Sequence, residues 1–157
     1  MSSSPCPGCG KVLPDVPDGP THAYIGASPA CWWRWSEILV SEGGGGRTAN
    51  DAYAAQHPGE DGRRQRQSVA VHLIALCQTL EHGITDPTLT QLTRQALHDK
   101  PDWPWLTPPE RYDVTVHDLA QPMSVEEVRR WASAVWSAWS DHHRTVRGWA
   151  EELLERR

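Results

Sequence analysis

Residues 69–77 read VAVHLIALC, and wound as a helix they are apolar on nearly every side, His72 excepted. A helix of that kind belongs at the centre of a bundle, ringed by other helices. This stretch sets the expected fold class as all-α, a helical bundle, and the rest of the chain is read for the helices that surround it. The central helix itself is predicted over 63–82, with a charged first turn and Gly83 closing it.

Pro29 suits the opening of a helix over 30–42, because its missing N–H costs nothing at the first position. A shorter helix is predicted over 48–57, ending before Pro58, and Asp86-Pro87 start another that runs to about Asp99. The last element is the most regular. Ser124-x-x-Glu127 has the form of a capping box. Val128, Trp131, Ala132, Val135, Trp139, Val146, Trp149, Ala150 and Leu153 then follow the helical period. The pattern predicts one long helix, with His142 and His143 in its single gap and a second helix capped by Asp141 as the alternative. DVTVHD, 113–118, reads as a brief extended piece. Gly43–Gly46 read as a flexible joint, and 1–28, rich in Pro, Gly and Ser, as a metal knuckle followed by irregular loop. The 157 residues are expected to form a single domain, with a metal-binding head over 1–30 and a helical bundle over 31–157.

Nine Trp and three Tyr with no Phe make tryptophan the main source of aromatic core volume. Each buried indole brings an N–H that needs a partner. A net charge of −5 with no basic block argues against a nucleic-acid or anionic-membrane partner. No stretch of about 18 apolar residues occurs, so no transmembrane helix is expected. MSSSPCPGCG has neither the basic nor the apolar region of a secretory signal, and a cytoplasmic location is expected. A small molecule or a protein remains open as partner.

In a reducing compartment four cysteines point to metal binding or catalysis rather than disulfides. CPGCG, 6–10, brings two thiols into one tight turn shaped by Pro7 and Gly10. Zinc takes four ligands in structural sites, and three cysteines with one histidine is an ordinary set. The predicted ligands are Cys6, Cys9, His22 and Cys31, with His57 in reserve as the fourth. Cys31 falls in the first turn of a helix, where the dipole favours thiolate.

A second constellation comprises His57, His72, His142 and His143, with Asp51, Tyr53 and Gln56 near in sequence. Buried imidazoles must be hydrogen-bonded or coordinated, and histidines from different helices converging in a bundle can build a metal or acid–base site. The bland alternative is that each is a satisfied core residue. His82, His98 and His117 lie near element ends and read as solvated, Cys77 as core, and the tryptophans as core and rim packing. The glycine run lacks the Lys-Ser/Thr of a P-loop, and no HExxH or nucleophile elbow occurs.

The stretches CPGCG, SPACW, DAYAAQHPG, QSVAVHLI, WLTPP and VWSAWSDHHRTVRGW resemble those of a bacterial family, common in actinobacteria, catalogued as a domain of unknown function. The resemblance covers nearly the whole chain. It implies that Cys6, Cys9, Cys31, Asp51, Tyr53, His57, His72, His142 and His143 lie in the family's signature stretches, and it implies no reaction. This chain is shorter than those relatives between Ser41 and Asn50.

Two functional readings follow. In the first, a zinc site of structural role fastens the head to the bundle, which carries a His-containing polar pocket. In the second, the protein is a metal-dependent enzyme with hydrolase- or lyase-like acid/base chemistry using His57, His72 and His143. His72 or His143 then serves as ligand or general base, Asp51 orients an imidazole and Tyr53 donates a proton or contacts substrate.

Overall fold

The computed structural model describes residues 2–16, 21–42, 46–100 and 102–156. Six α-helices make the body: α1 (Pro29–Glu42), α2 (Gly46–Gln56), α3 (Arg63–His82), α4 (Thr88–Asp99), α5 (Val125–Ala138) and α6 (His143–Glu155). The architecture is a helical bundle with a small, largely irregular head. No helix among the described residues is long and apolar enough to cross a membrane.

α3 stands where its composition requires, packed against α2, α4, α5 and α6. Ser68 to Gln78 are buried without interruption except at His72. Gly83 takes the left-handed conformation, φ 66°, and its N–H closes on the Gln78 carbonyl. α1 buries Cys31, Trp35 and Ile38 at helical spacing, and α2 buries Ala49, Ala52, Tyr53 and Gln56 in the same way.

The indoles find partners as the composition demanded. Trp131 Nε1 donates to Gln56 Oε1 at 3.0 Å, Trp136 Nε1 to Glu81 Oε2 at 2.8 Å and Trp139 Nε1 to the Ala55 carbonyl at 3.2 Å. Trp103 Nε1 is buried without a hydrogen bond, and its ring meets Trp149 edge-on.

Within the irregular head, β1 (Ser3–Pro5) and β2 (Val12–Pro14) pair antiparallel, with Ser4 opposite Leu13. Three local expectations are corrected. The predicted long C-terminal helix is two helices. α5 ends at Ala138, a 3₁₀ turn spans Ser140–His142, and α6 begins at His143. The break has a physical cause. His143 Nε2 donates back to the Trp136 carbonyl at 2.6 Å, alongside Trp139 N at 3.1 Å, and its ring stacks on the Trp136 ring, so this helix-end carbonyl is held by two donors. The piece 113–118 is extended at Thr115 but not beyond it. Val116–Asp118 form a 3₁₀ turn with Thr115 as cap, Thr115 Oγ1 accepting from His117 N and Asp118 Oδ2 from Thr115 N. The reciprocal capping box expected at Ser124 is only half made: Ser124 Oγ accepts from Glu127 N, whereas Glu127 Oε1 accepts from Ala120 N. The joint expected at Gly43–Gly46 falls, except for Gly46 at the start of α2, outside the described residues.

Candidate metal centre

Cys6 and Cys9 flank the turn that joins β1 to β2. Gly10 N donates to the Cys6 carbonyl and Cys6 N to the Lys11 carbonyl, both at 2.9 Å, and Gly10 sits at φ 79°. These bonds wrap the turn so that both thiols face the body. Cys31 enters from the first turn of α1, where its N–H donates to Ser28 Oγ at 3.2 Å. Ser28 N in turn donates to Cys6 Sγ at 3.4 Å. His57 enters from the residue that follows α2.

The junction between head and body is made by close backbone approach. Gly26 N donates to the His57 carbonyl at 2.9 Å. A Cβ on Gly8 would stand 2.4 Å from His57 Cδ2 and 2.9 Å from the Gln56 carbonyl oxygen, so no other residue fits there.

The result is a group of four. One ligand atom each from Cys6, Cys9, Cys31 and His57 all lie within 4.8 Å of one another, and all four residues are buried. Cys31 Sγ is 3.4 Å from His57 Nε2. Zinc bonds of about 2.3 Å to sulfur and 2.0 Å to nitrogen place tetrahedral ligands about 3.3–3.8 Å apart, so the donor set and its spacing suit such an ion. His57 Nδ1 lies 2.7 Å from the Tyr53 carbonyl, which places the proton on Nδ1 and leaves Nε2 as the ligating nitrogen.

The three thiols hold their protons very unequally. Hydrogen bonds from Cys31 and then Cys9 drive the Cys6 thiol far below the ordinary range. Cys9 is pushed up to about 11, because its bond with Cys6, burial and the Cys6 charge outweigh the lowering bond from Cys31. Cys31 is driven far up by its bonds to Cys6 and Cys9 and by burial. Three buried sulfurs sharing protons around one thiolate are a poor match to an apolar interior. A divalent cation would deprotonate all three and balance most of their charge.

The surrounding side chains are also ordered. Tyr53 stacks between Trp35, with centroids 4.6 Å apart, and His57, at 4.1 Å, and its hydroxyl is 3.3 Å from Cys31 Sγ. Burial, then the Cys31 charge, raises the Tyr53 hydroxyl far above its usual range. His117 Nε2 comes within 3.2 Å of Cys31 Sγ. Burial, helped by the Arg34 charge, lowers His117 to about 4. His117 read as solvated in the sequence; the 3₁₀ turn capped by Thr115 carries it to the sulfur instead.

Of the sequence candidates, the structure joins Cys6, Cys9 and Cys31 and completes the group with His57, the reserve. His22 is not in it. Its Nδ1 accepts from Tyr24 N at 3.3 Å and its ring packs on Tyr24 and Trp32. The physical reason is the Gly8–Gly26 junction, which seats the end of α2, and so His57, directly on the knuckle. The four imidazoles of the second constellation do not converge, although Asp51 Oδ1 comes within 3.9 Å of His72 Nε2. His72 Nδ1 is 2.7 Å from the Ser68 carbonyl, His142 Nε2 is 2.9 Å from that of Thr107, and His143 turns to Trp136 as described. Among the described residues no other group of metal-ligating side chains forms.

A family model described as a family of unknown function (DUF5946) matches residues 4–140. The chain belongs to that family. All four residues of the cluster, and His117, fall within the stretch that matches DUF5946, whereas the whole of α6 lies beyond it. No curated protein and no solved structure matches the chain.

Proposed function

We propose that the protein binds one zinc ion through Cys6, Cys9, Cys31 and His57, and that the ion's role is structural: it ties the head to the start of α1 and the end of α2. The observation that carries this reading is the convergence of four buried ligand atoms from three separate segments, with the imidazole already in the ligating tautomer. Three sulfurs and one imidazole favour zinc over harder cations. Four protein ligands fill a tetrahedral shell, the pattern of structural sites, whereas catalytic sites keep a position for water. The pairing of His72, His142 and His143 with backbone carbonyls also supports the structural reading over the enzymatic one.

Elemental analysis of the purified chain tests it. The expected result is zinc at close to one ion per chain, lost in Cys9→Ala and kept in His72→Ala. An ion-free wild type with oxidised thiols would overturn the reading, and a stoichiometry near two would point back to a bundle site.

A further inference from the structure

Away from the metal centre, α2, α3 and α4 and the Tyr24 loop border an open cleft of about 390 Å³, within the size range of small-molecule sites. Its wall is two-sided in chemistry. Tyr24, Val71 and Leu97 supply an apolar surface, and Arg47 and Arg64 supply two guanidinium groups. Among the described residues no acidic side chain lines it, although the chain as a whole carries a net charge of −5.

The cations are differently held. Arg47 is fixed: Nε donates to Asp51 Oδ2 at 3.4 Å, Nη1 to Thr90 Oγ1 at 3.1 Å and Nη2 to Thr93 Oγ1 at 2.8 Å, with Asp86 Oδ1 3.9 Å from Nη1. Three of five guanidinium N–H groups are thereby used. Arg64 is exposed and makes no hydrogen bond or ion pair among the described residues. His72 lines the wall between them with its Nδ1 on the Ser68 carbonyl, so Nε2 is its free nitrogen. Behind it Asp51 Oδ1 is buried without a hydrogen bond, 3.9 Å from that Nε2. A fixed guanidinium, an exposed second one and apolar side chains in the same lining are the parts needed to hold an anion with a hydrophobic body.

We propose that this cleft binds a small organic carboxylate, its charge held by Arg47 and Arg64 and its apolar body lying on Tyr24, Val71 and Leu97. The site is separate from the zinc cluster, and neither inference requires the other. His72, in the wall, is the natural reporter.

The test is titration of the full chain as purified with benzoate, followed by the NMR signals of the His72 ring, with benzamide and acetate as controls for charge and body. Benzoate is expected to shift the His72 signals saturably in the millimolar range. Benzamide and acetate should each bind more weakly by about tenfold or more. Arg64→Gln, a surface change that leaves the fold intact, should weaken benzoate by a similar factor. The proposal is overturned if benzoate gives no saturable shift, if either control matches it, or if Arg64→Gln binds benzoate as well as wild type. Metal content measured on the same samples keeps a failure here distinct from a failure of the zinc reading.

Discussion

The Nδ1 of His57 lies 2.7 Å from the carbonyl oxygen of Tyr53, one turn earlier in the chain. That bond uses the carbonyl of a helix end and the spare nitrogen of the imidazole together, and it aims Nε2 at the three sulfurs. His57 is therefore both the stop of α2 and the fourth arm of the cluster. His57→Ala is expected to weaken zinc binding by about a hundredfold or more. His22→Ala should leave it unchanged. Competition with a chromogenic chelator measures both, and equal losses in the two variants would place the fourth ligand elsewhere.

Removing the ion should unfasten the head first. Residues 2–16 have little core of their own beyond Cys6 and Cys9, so the cluster and the backbone bonds around it are what hold them. Binding energy in such sites acts as folding energy, about 10–16 kcal/mol for isolated zinc peptides. A strong chelator is expected to lower the melting temperature and open the head to proteolysis, with recovery on adding zinc but not magnesium. Calorimetry with limited proteolysis reads this. An unchanged melting curve after complete zinc removal would show that the head needs no ion.

The glycines of the head separate two physical roles. Gly8 is needed for space, because a methyl group there meets His57 Cδ2 and the Gln56 carbonyl. Gly10 is needed for its φ of 79°, with open space around the Cβ position. Gly8→Ala should cost about 1–3 kcal/mol and also lower zinc affinity, since the clash falls on a ligand. Gly10→Ala should cost about 1 kcal/mol with affinity nearly kept. Denaturant titration and metal competition on the same pair of variants check the contrast.

How much of this was readable from the chain alone follows from which interactions are local. The helical bundle was legible because Val69–Cys77 and the periodic stripes carry their own instructions. Cys6 and Cys9 were legible as a pair two residues apart. His57 was harder: it lies 26 residues from Cys31, and only the Gly8–Gly26 junction brings it to the knuckle. The one local hint was its place after a helix and before Pro58. His117 gave no signal except the Thr115-x-x-Asp118 pattern, which predicts a cap but not what the capped turn will face. The stripe from Val128 to Leu153 fitted one helix as well as two, because α5 and α6 both pack against α3 and each needs an apolar face there.

Asp51 makes a pH prediction. Burial raises its carboxyl from 3.8 to about 7, against the lowering effect of Arg47, with Asp86 adding to the rise. Burial lowers the neighbouring His72 from 6.5 to about 4. A raised carboxyl means the folded state holds its proton more tightly, so this group's contribution falls as pH rises from 3.8 to about 7. His72 works in the other direction: the unfolded chain binds the extra proton, so stability rises with pH between about 4 and 6.5. The two oppose each other up to about pH 6.5. Asp51→Asn removes the first effect alone. The variant should match wild type near pH 4 and exceed it by about 1–4 kcal/mol near pH 8, by denaturant unfolding at each pH. A variant less stable than wild type at the higher pH would show that the Asp51 carboxylate is charged and favourably paired in the fold.

The indole of Trp131 reaches into the most polar part of the core. Its Nε1 donates to Gln56 Oε1, and Gln56 Nε2 donates across to the Val114 carbonyl at 2.7 Å, so one buried amide ties α5, α2 and the loop before α5 together. Both Trp131 and Gln56 are fully buried. Trp131→Phe leaves the amide oxygen without a donor, at about 1–3 kcal/mol, and adds the loss of the second ring's packing, so about 2–4 kcal/mol in all is expected. Trp33→Phe, on a half-exposed indole, should cost no more than about 0.5 kcal/mol. In Trp131→Phe/Gln56→Leu the unpaired oxygen is gone, so the double variant should be less destabilised than the sum of the singles by about 0.5–3 kcal/mol. Thermal and denaturant unfolding of the set decide it: strict additivity would mean that the Trp131–Gln56 bond contributes nothing beyond the packing of its two side chains.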